Sequence, residues 1–274
     1  MPAHDGDGVD LRRAFPGVQL TDHDPFLLLD ELGPTDLAPG EARGFPPHPH
    51  RGFETVTYLL SGEMQHRDSW GNRGLLRSGD VQWMTAGSGL VHSEMPGEEL
   101  ARAGGRLHGF QLWVNLPRRD KMLAPRYQDT PGERIPVATD GDSVRVKVIA
   151  GQALGVTGVI ETRIPILYLH ATLAPGAEFV QPVARRANAF LYVVEGEAES
   201  GGSLIHPKQI GLLDRSGEGV RIRNVGGSEL SVLLLAGDPL GEPVARHGPF
   251  VMNSKEEIIQ AVDDFRSGRM GSMV

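Results

Sequence analysis

Apolar residues come in short runs along this chain. Phe26–Leu29, Thr55–Leu60, Val81–Met84, Phe110–Leu116, Val144–Ile149, Ile166–Leu173, Phe190–Val194 and Ser231–Leu235 are rich in Val, Leu, Tyr and Thr. Most are bounded by Gly, Pro, Asp or Asn. Short β-formers between turn residues predict strands, and many of them at regular spacing predict sandwiches or barrels. The last segment breaks the pattern. Ser254 followed by Glu257 fits a capping box, Ile258, Val262 and Phe265 fall at helical spacing, and Gly268 offers a stop. A C-terminal helix packed on a barrel is predicted there.

The chain also resembles itself. Thr55-Val-Thr-Tyr-Leu-Leu-Ser-Gly-Glu63 and Ala189-Phe-Leu-Tyr-Val-Val-Glu-Gly-Glu197 place Tyr, Gly and Glu alike, at an offset of 134 residues. Val81-Gln-Trp-Met84 follows the first segment as Ile210-Gly-Leu-Leu213 follows the second. Two similar β-domains are expected, with a boundary in the turn-rich stretch 130–143. Residues 1–135 and 136–274 are the expected division.

Composition narrows the chemistry. A length of 274 residues suits two domains, and 36 Gly with 20 Pro agree with many turns. The net charge is −8 and the basic residues are scattered, which argues against direct nucleic-acid or membrane binding. There is no cysteine, so disulfides, thiolate zinc sites and cysteine nucleophiles are excluded. Any metal must be held by nitrogen and oxygen. Met1–Phe15 is polar and acidic, unlike a secretory signal, and no apolar run is long enough to cross a bilayer. A cytoplasmic protein is expected.

His48-Pro49-His50 puts two imidazoles at i and i+2, on one face of a strand. Extending that parity reaches Gly52, Glu54, Val56, Tyr58 and Leu60, so the face reads as interior. Buried unpartnered imidazoles cost on the order of a few kcal/mol, which a metal would offset. Val91-His92-Ser93-Glu94 again places two ligand types at i and i+2. Imidazoles with a carboxylate suit iron, manganese, nickel, copper or zinc. Five candidate ligands stand at this point: His48, His50, His92, Glu94 and Glu54, the last sharing the parity of the first two. His66 and His108 are read as hydrogen-bonded non-ligands.

Gly44–Gly62 resembles the first cupin motif and Gly79–Glu94 the second. A closer resemblance is to the pirin family. It rests on His48-Pro-His-Arg-Gly-Phe-Glu-Thr-Val-Thr-Tyr, His66-Arg-Asp-Ser, Gly79-Asp-Val-Gln-Trp-Met-Thr-Ala-Gly, Val91-His-Ser-Glu and Gln111-Leu-Trp-Val-Asn-Leu-Pro, and spans residues 24–128. The second half, with Asn188-Ala-Phe-Leu-Tyr-Val, fits the family's C-terminal domain less sharply. The resemblance implies an all-β bicupin, two tandem antiparallel β-barrels of jelly-roll type with a short C-terminal helix, and a monomer. It implies one metal, in the first domain, on His48, His50, His92 and Glu94, with Glu54 an orienting neighbour. Read independently, the repeat puts Pro182, Ala184, Asn188, Arg221 and Arg223 where His48, His50, Glu54, His92 and Glu94 stand in the first half. A metal-free second domain is expected.

The family likeness implies two functions. One is a metal-dependent quercetin 2,3-dioxygenase that opens a flavonol ring with O2 and releases CO. Ferrous iron is the first expectation for the metal, and Glu94 is the base that takes the flavonol 3-hydroxyl proton. Its partners would be a small flavonol-like aromatic and O2. The alternative is a non-enzymatic, redox-responsive regulator that binds a protein partner through its metal-bearing cupin. A closed, purely structural zinc site is a third reading.

Overall fold

The computed structural model describes residues 2–273. These form two compact units: residues through Gly132 together with those from Leu240 onward, and Glu133–Pro239.

The first unit is two antiparallel sheets. The larger runs in the order Pro2–Asp5, Val9–Phe15, Phe26–Leu37, Gly105–Asn115, Phe53–Ser61, Val81–Thr85 and Arg126–Thr130. The smaller runs Phe45–His50, Leu90–Pro96, Glu63–Asp68 and Arg73–Arg77. Leu11, Leu32 and Leu59 of the larger sheet pack against Met64 and Leu76 of the smaller. The apolar runs predicted as strands lie in the larger sheet. In the smaller sheet Phe45–His50 and Leu90–Pro96 are those read from the i, i+2 spacing, whereas the polar strands Glu63–Asp68 and Arg73–Arg77 carry no such signal. Phe45–His50 carries Pro46, Pro47 and Pro49. It is an edge strand paired only with Leu90–Pro96, where missing N–H donors are tolerated.

The second unit repeats this order, except that its larger sheet has six strands and no counterpart of Arg126–Thr130. Ile166–Leu173, Leu230–Gly237, Asn188–Glu195 and Ile210–Leu213 form consecutive strands of its larger sheet. Glu178–Pro182, Gly219–Asn224, Ala198–Ser200 and Ser203–Ile205 form its smaller one. Phe53–Ser61 and Asn188–Glu195, the strands of the sequence repeat, thus occupy equivalent places. Leu169, Leu191 and Leu234 meet Phe179 and Ile222 in this core. The bicupin fold expected from the sequence is the fold observed, each cupin being a pair of facing sheets.

The chain end departs from the expected division. Residues 240–274 were expected in the second domain, but they pack as part of the first unit. The cause is a set of long-range bonds around the turn after His50. The Val251 N–H donates to the Arg51 carbonyl at 3.0 Å, and the Arg51 N–H to the Pro249 carbonyl at 3.3 Å. Gly52 has φ +89°, and a Cβ there would collide with the Val251 carbonyl. The helix Lys255–Arg266 forms with its capping box intact: the Glu257 N–H donates to Ser254 Oγ, and the Ser254 N–H to Glu257 Oε2. Its Ile258 and Val262 pack with Val91, one residue before His92. Among the described residues no helix is long and apolar enough to cross a membrane.

A buried ion pair pins this helix to the turn. Arg51 Nη1 lies 2.7 Å from Asp264 Oδ2, and Arg51 Nε donates to the Ser88 carbonyl. Burial alone would raise the Asp264 pKa, but bonds from Arg51, Gln260 and Arg269 overcome it and hold the carboxyl at about 2. A carboxyl depressed in the folded state adds stability that is complete above its unfolded value of about 4 and lost as pH falls through the folded value. The Tm gap between wild type and Asp264→Asn should therefore be constant near neutrality and narrow as pH falls from about 4 to about 2. A gap that does not change with pH would show that the carboxylate charge is not what stabilises.

Candidate metal centre

Three imidazoles converge because two neighbouring strands present them on one face. His48 and His50 sit two apart on Phe45–His50. His92, on the adjacent strand Leu90–Pro96, is the register partner of His48. Their ring centroids are 4.4 Å (His48–His92), 4.7 Å (His48–His50) and 4.9 Å (His50–His92) apart. One ring nitrogen from each lies within 4.8 Å of the others. His48 Nε2 and His50 Nε2 are 3.1 Å apart.

Hydrogen bonding and burial leave these nitrogens able to donate electron pairs. His48 Nδ1 lies 2.8 Å from the Pro46 carbonyl, which can only accept. Nδ1 must then carry a proton, which leaves Nε2 as the nitrogen that faces the other rings and could bind a metal. His92 is fully buried, and neither of its ring nitrogens has a hydrogen-bond partner. Burial first, and the neighbouring imidazoles second, push His50 and His92 well below the usual histidine pKa. A stranded buried polar group costs about 1–3 kcal/mol. Three imidazoles with convergent ring nitrogens fit a transition metal, which would offset that cost.

Glu94 stands beside this cluster. It is two residues beyond His92 on the same strand and borders the same cavity. Its Oε2 accepts from Gln111 Nε2 at 3.1 Å, and its Oε1 accepts from Thr57 Oγ1 at 2.9 Å. Glu54 lies elsewhere. The parity that grouped it with His48 and His50 does not carry through, because the strand ends at His50 and a new one begins at Phe53 in the other sheet. The Arg51-Gly52 turn reverses the facing. Phe53 meets the His50 ring at 5.1 Å and Thr57 meets Glu94, so the odd positions face the site. Glu54 instead accepts from Thr85 Oγ1 at 2.6 Å.

His66 and His108, the other two histidines weighed from the sequence, are hydrogen-bonded outside the cluster. His66 Nε2 lies 3.2 Å from Asp129 Oδ2, and its ring stacks on Tyr127. His108 Nε2 lies 2.9 Å from Glu31 Oε1. In the second unit Pro182, Ala184, Arg221 and Arg223 offer no lone pair to a metal, and Arg221 lies 3.7 Å from Glu178.

A cavity of about 530 Å³ opens from the imidazoles. His48, His50 and Glu94 line it, and Leu28, Leu32 and Trp113 form apolar walls. The Trp113 ring lies 5.3 Å from that of His50. Arg13 forms a two-pronged pair with Asp30, at 2.8 Å and 2.6 Å. Arg246 lies over the Trp113 face, 5.0 Å from its centroid. Sequence reasoning assigned no role to Thr57, Gln111, Trp113, Arg13, Asp30 or Arg246. Gln111 and Trp113 lie in a motif-bearing segment with alternate residues facing one way, the only local signal. Nothing local connects Arg246 to the site.

A family profile described as Pirin matches residues 8–114, and one described as Pirin C-terminal cupin domain matches residues 168–271. A "Pirin-like protein" of Solanum lycopersicum is 46% identical, covering 98% of this chain and 89% of its own length. The "Pirin" of Mus musculus is 45% identical, covering 97% and 90%. A crystal structure titled quercetin 2,3-dioxygenase, from Acinetobacter baumannii, superposes with a TM-score of 0.93 at 36% identity, over 100% of this chain and 96% of that one.

Proposed function

We propose, on the premise that this chain belongs to the pirin family, that its first cupin is a metal-dependent dioxygenase site that opens the ring of a flavonol-like aromatic with O2 and releases CO. The observation that carries this reading is the cluster of three imidazoles, two of which line a cavity with partly apolar walls, with a carboxylate beside it. The likeness to a solved quercetin 2,3-dioxygenase supports it. His48, His50 and His92 would hold one divalent transition metal, with Glu94 the fourth ligand and ferrous iron the first choice. Such an ion supplies Lewis acidity toward a substrate oxygen and an electron path to O2.

The chain's own groups do the rest. Glu94 is the only carboxylate we assign to proton transfer, and it would take the proton of the flavonol 3-hydroxyl. Gln111 and Thr57 bond to its oxygens and fix its direction. A carboxylate has lone pairs beyond those two bonds, so it can still receive a proton. Leu28, Leu32 and Trp113 would bind a flat ring and exclude water from the reacting carbon atoms.

Oxygen consumption by metal-loaded protein with quercetin tests the reading. Glu94→Gln keeps the shape and an oxygen donor but removes the base. It should lower kcat by about 10²-fold, within the usual range for a general base. Metal-loaded wild type that turns over no flavonol would overturn the dioxygenase reading and favour the redox-responsive regulator.

A further inference from the structure

Of the two arginines that line the cavity, Arg246 is the one without a carboxylate in direct contact. Arg13, its neighbour, is neutralised by Asp30 in two-pronged contact and also by Asp5 at 3.0 Å. Arg246 instead lies over Trp113 and gives one hydrogen bond, from Nη1 to the Leu27 carbonyl at 3.3 Å. Among the described residues it makes no ion pair with a carboxylate. The residue is exposed on the cavity wall, and partial desolvation and nearby Arg13 lower its pKa against the opposing pull of Asp30 and Asp22. An anion bound there would offset both effects. A guanidinium lying over an aromatic face keeps the remaining N–H groups of its plane free, in the fork that suits a carboxylate.

Position adds a second constraint. The Trp113 ring centroid lies 5.3 Å from that of His50 and 5.0 Å from the Arg246 guanidinium carbon. Arg246, Trp113, His48 and His50 thus line one cavity, with Trp113 next to both Arg246 and His50. We propose that Arg246 is a specificity-determining residue that binds the carboxylate of a small aromatic acid whose oxygen-bearing opposite edge faces the imidazole cluster. The natural substrate class is then an aromatic carboxylate, with flavonols acceptable as ring analogues that lack this anchor. The proposal rests on the metal-site reading above. The chain's net charge of −8 makes such a local cation more discriminating, since an anion gains nothing from the rest of the surface.

The test uses metal-loaded protein and two probes that differ only in charge, 3,4-dihydroxybenzoate and 3,4-dihydroxybenzamide. Both carry the same catechol edge for the metal, and only the acid carries an anion at the far end. Titration calorimetry should show the acid binding at least about 10-fold tighter than the amide, as a two-pronged, charge-assisted bond to a guanidinium implies. Arg246→Gln should abolish the preference with metal content unchanged. Arg246→Lys should restore part of it, because the charge returns without the planar fork. Equal affinity for acid and amide in wild type, or a preference that survives Arg246→Gln, overturns the proposal. Quercetin turnover is measured separately. Acid preference without any turnover would remove the dioxygenase reading and keep Arg246 as an anion anchor, whereas turnover without acid preference would remove only the anchor.

Discussion

His92→Ala is expected to empty the metal site. The imidazole of His92 is fully buried, both of its nitrogens lack hydrogen-bond partners, and it stands within 4.9 Å of both other rings. Water cannot readily replace it as a ligand at that depth. The two histidines that remain come from one edge strand and form an incomplete set. Metal affinity should fall by about 10³-fold or more, since a lost ligand must cost more than the 10–100-fold typical of lost ligand-orienting groups. Elemental analysis should fall from near one metal per chain to near none. The metal-free proteins should differ much less. The substitution removes a stranded polar group and leaves a cavity, and these effects oppose each other. The rise in Tm on adding metal should therefore vanish while the metal-free Tm stays close to wild type. Full metal occupancy in His92→Ala would refute the three-imidazole centre.

Lys121→Met is expected to cost about 3–5 kcal/mol of stability, since three buried acceptors lose their donor at about 1–3 kcal/mol each and methionine packing recovers part of it. Lys121 is 1% exposed. Its Nζ donates to the Gly52 carbonyl at 2.7 Å, Asn115 Oδ1 at 2.6 Å and the Val251 carbonyl at 3.0 Å. Burial lowers its pKa to about 8, so it is still an ammonium at neutral pH. Methionine fills the same space but strands all three acceptors. Two of these belong to the turn after His50 and to the C-terminal segment that closes over it. Loss of the clamp should thus loosen the metal strand as well as the fold. Denaturant unfolding should show a lower midpoint with little change in slope. An unchanged midpoint would mean that the three bonds contribute nothing net.

Much of this was legible locally. Long apolar strands such as Phe53–Ser61 and Ile166–Leu173 announce themselves, because burial on both faces demands continuous apolar residues. The helix at Lys255–Arg266 was legible from Ser254 and Glu257, whose reciprocal bonds span three residues. His48 with His50, and His92 with Glu94, were legible as pairs because a strand returns to one face every second residue. The duplication was legible because two strands in equivalent places face equivalent packing.

Other features depended on pairings that no short window contains. The polar strands Glu63–Asp68 and Arg73–Arg77 are strands because the smaller sheet needs them beside Leu90–Pro96. The facing of Glu54 depended on the turn at Gly52, whose φ of +89° is set by contact with Val251, about two hundred residues away. The placement of residues 240–274 depended on Arg51, Lys121 and Asp264. The sequence by itself determined the pair of cupins, the helix and the histidines at i and i+2, since each follows from backbone periodicity and local hydrogen bonding. Only the tertiary structure decided that Glu94 borders the cavity and Glu54 does not, that Gln111 and Thr57 hold Glu94, and that Arg246 reaches the same cavity. Those outcomes follow from which distant strands pair and which way a turn faces them, and the free energy of such contacts is realised only when the chain closes on itself.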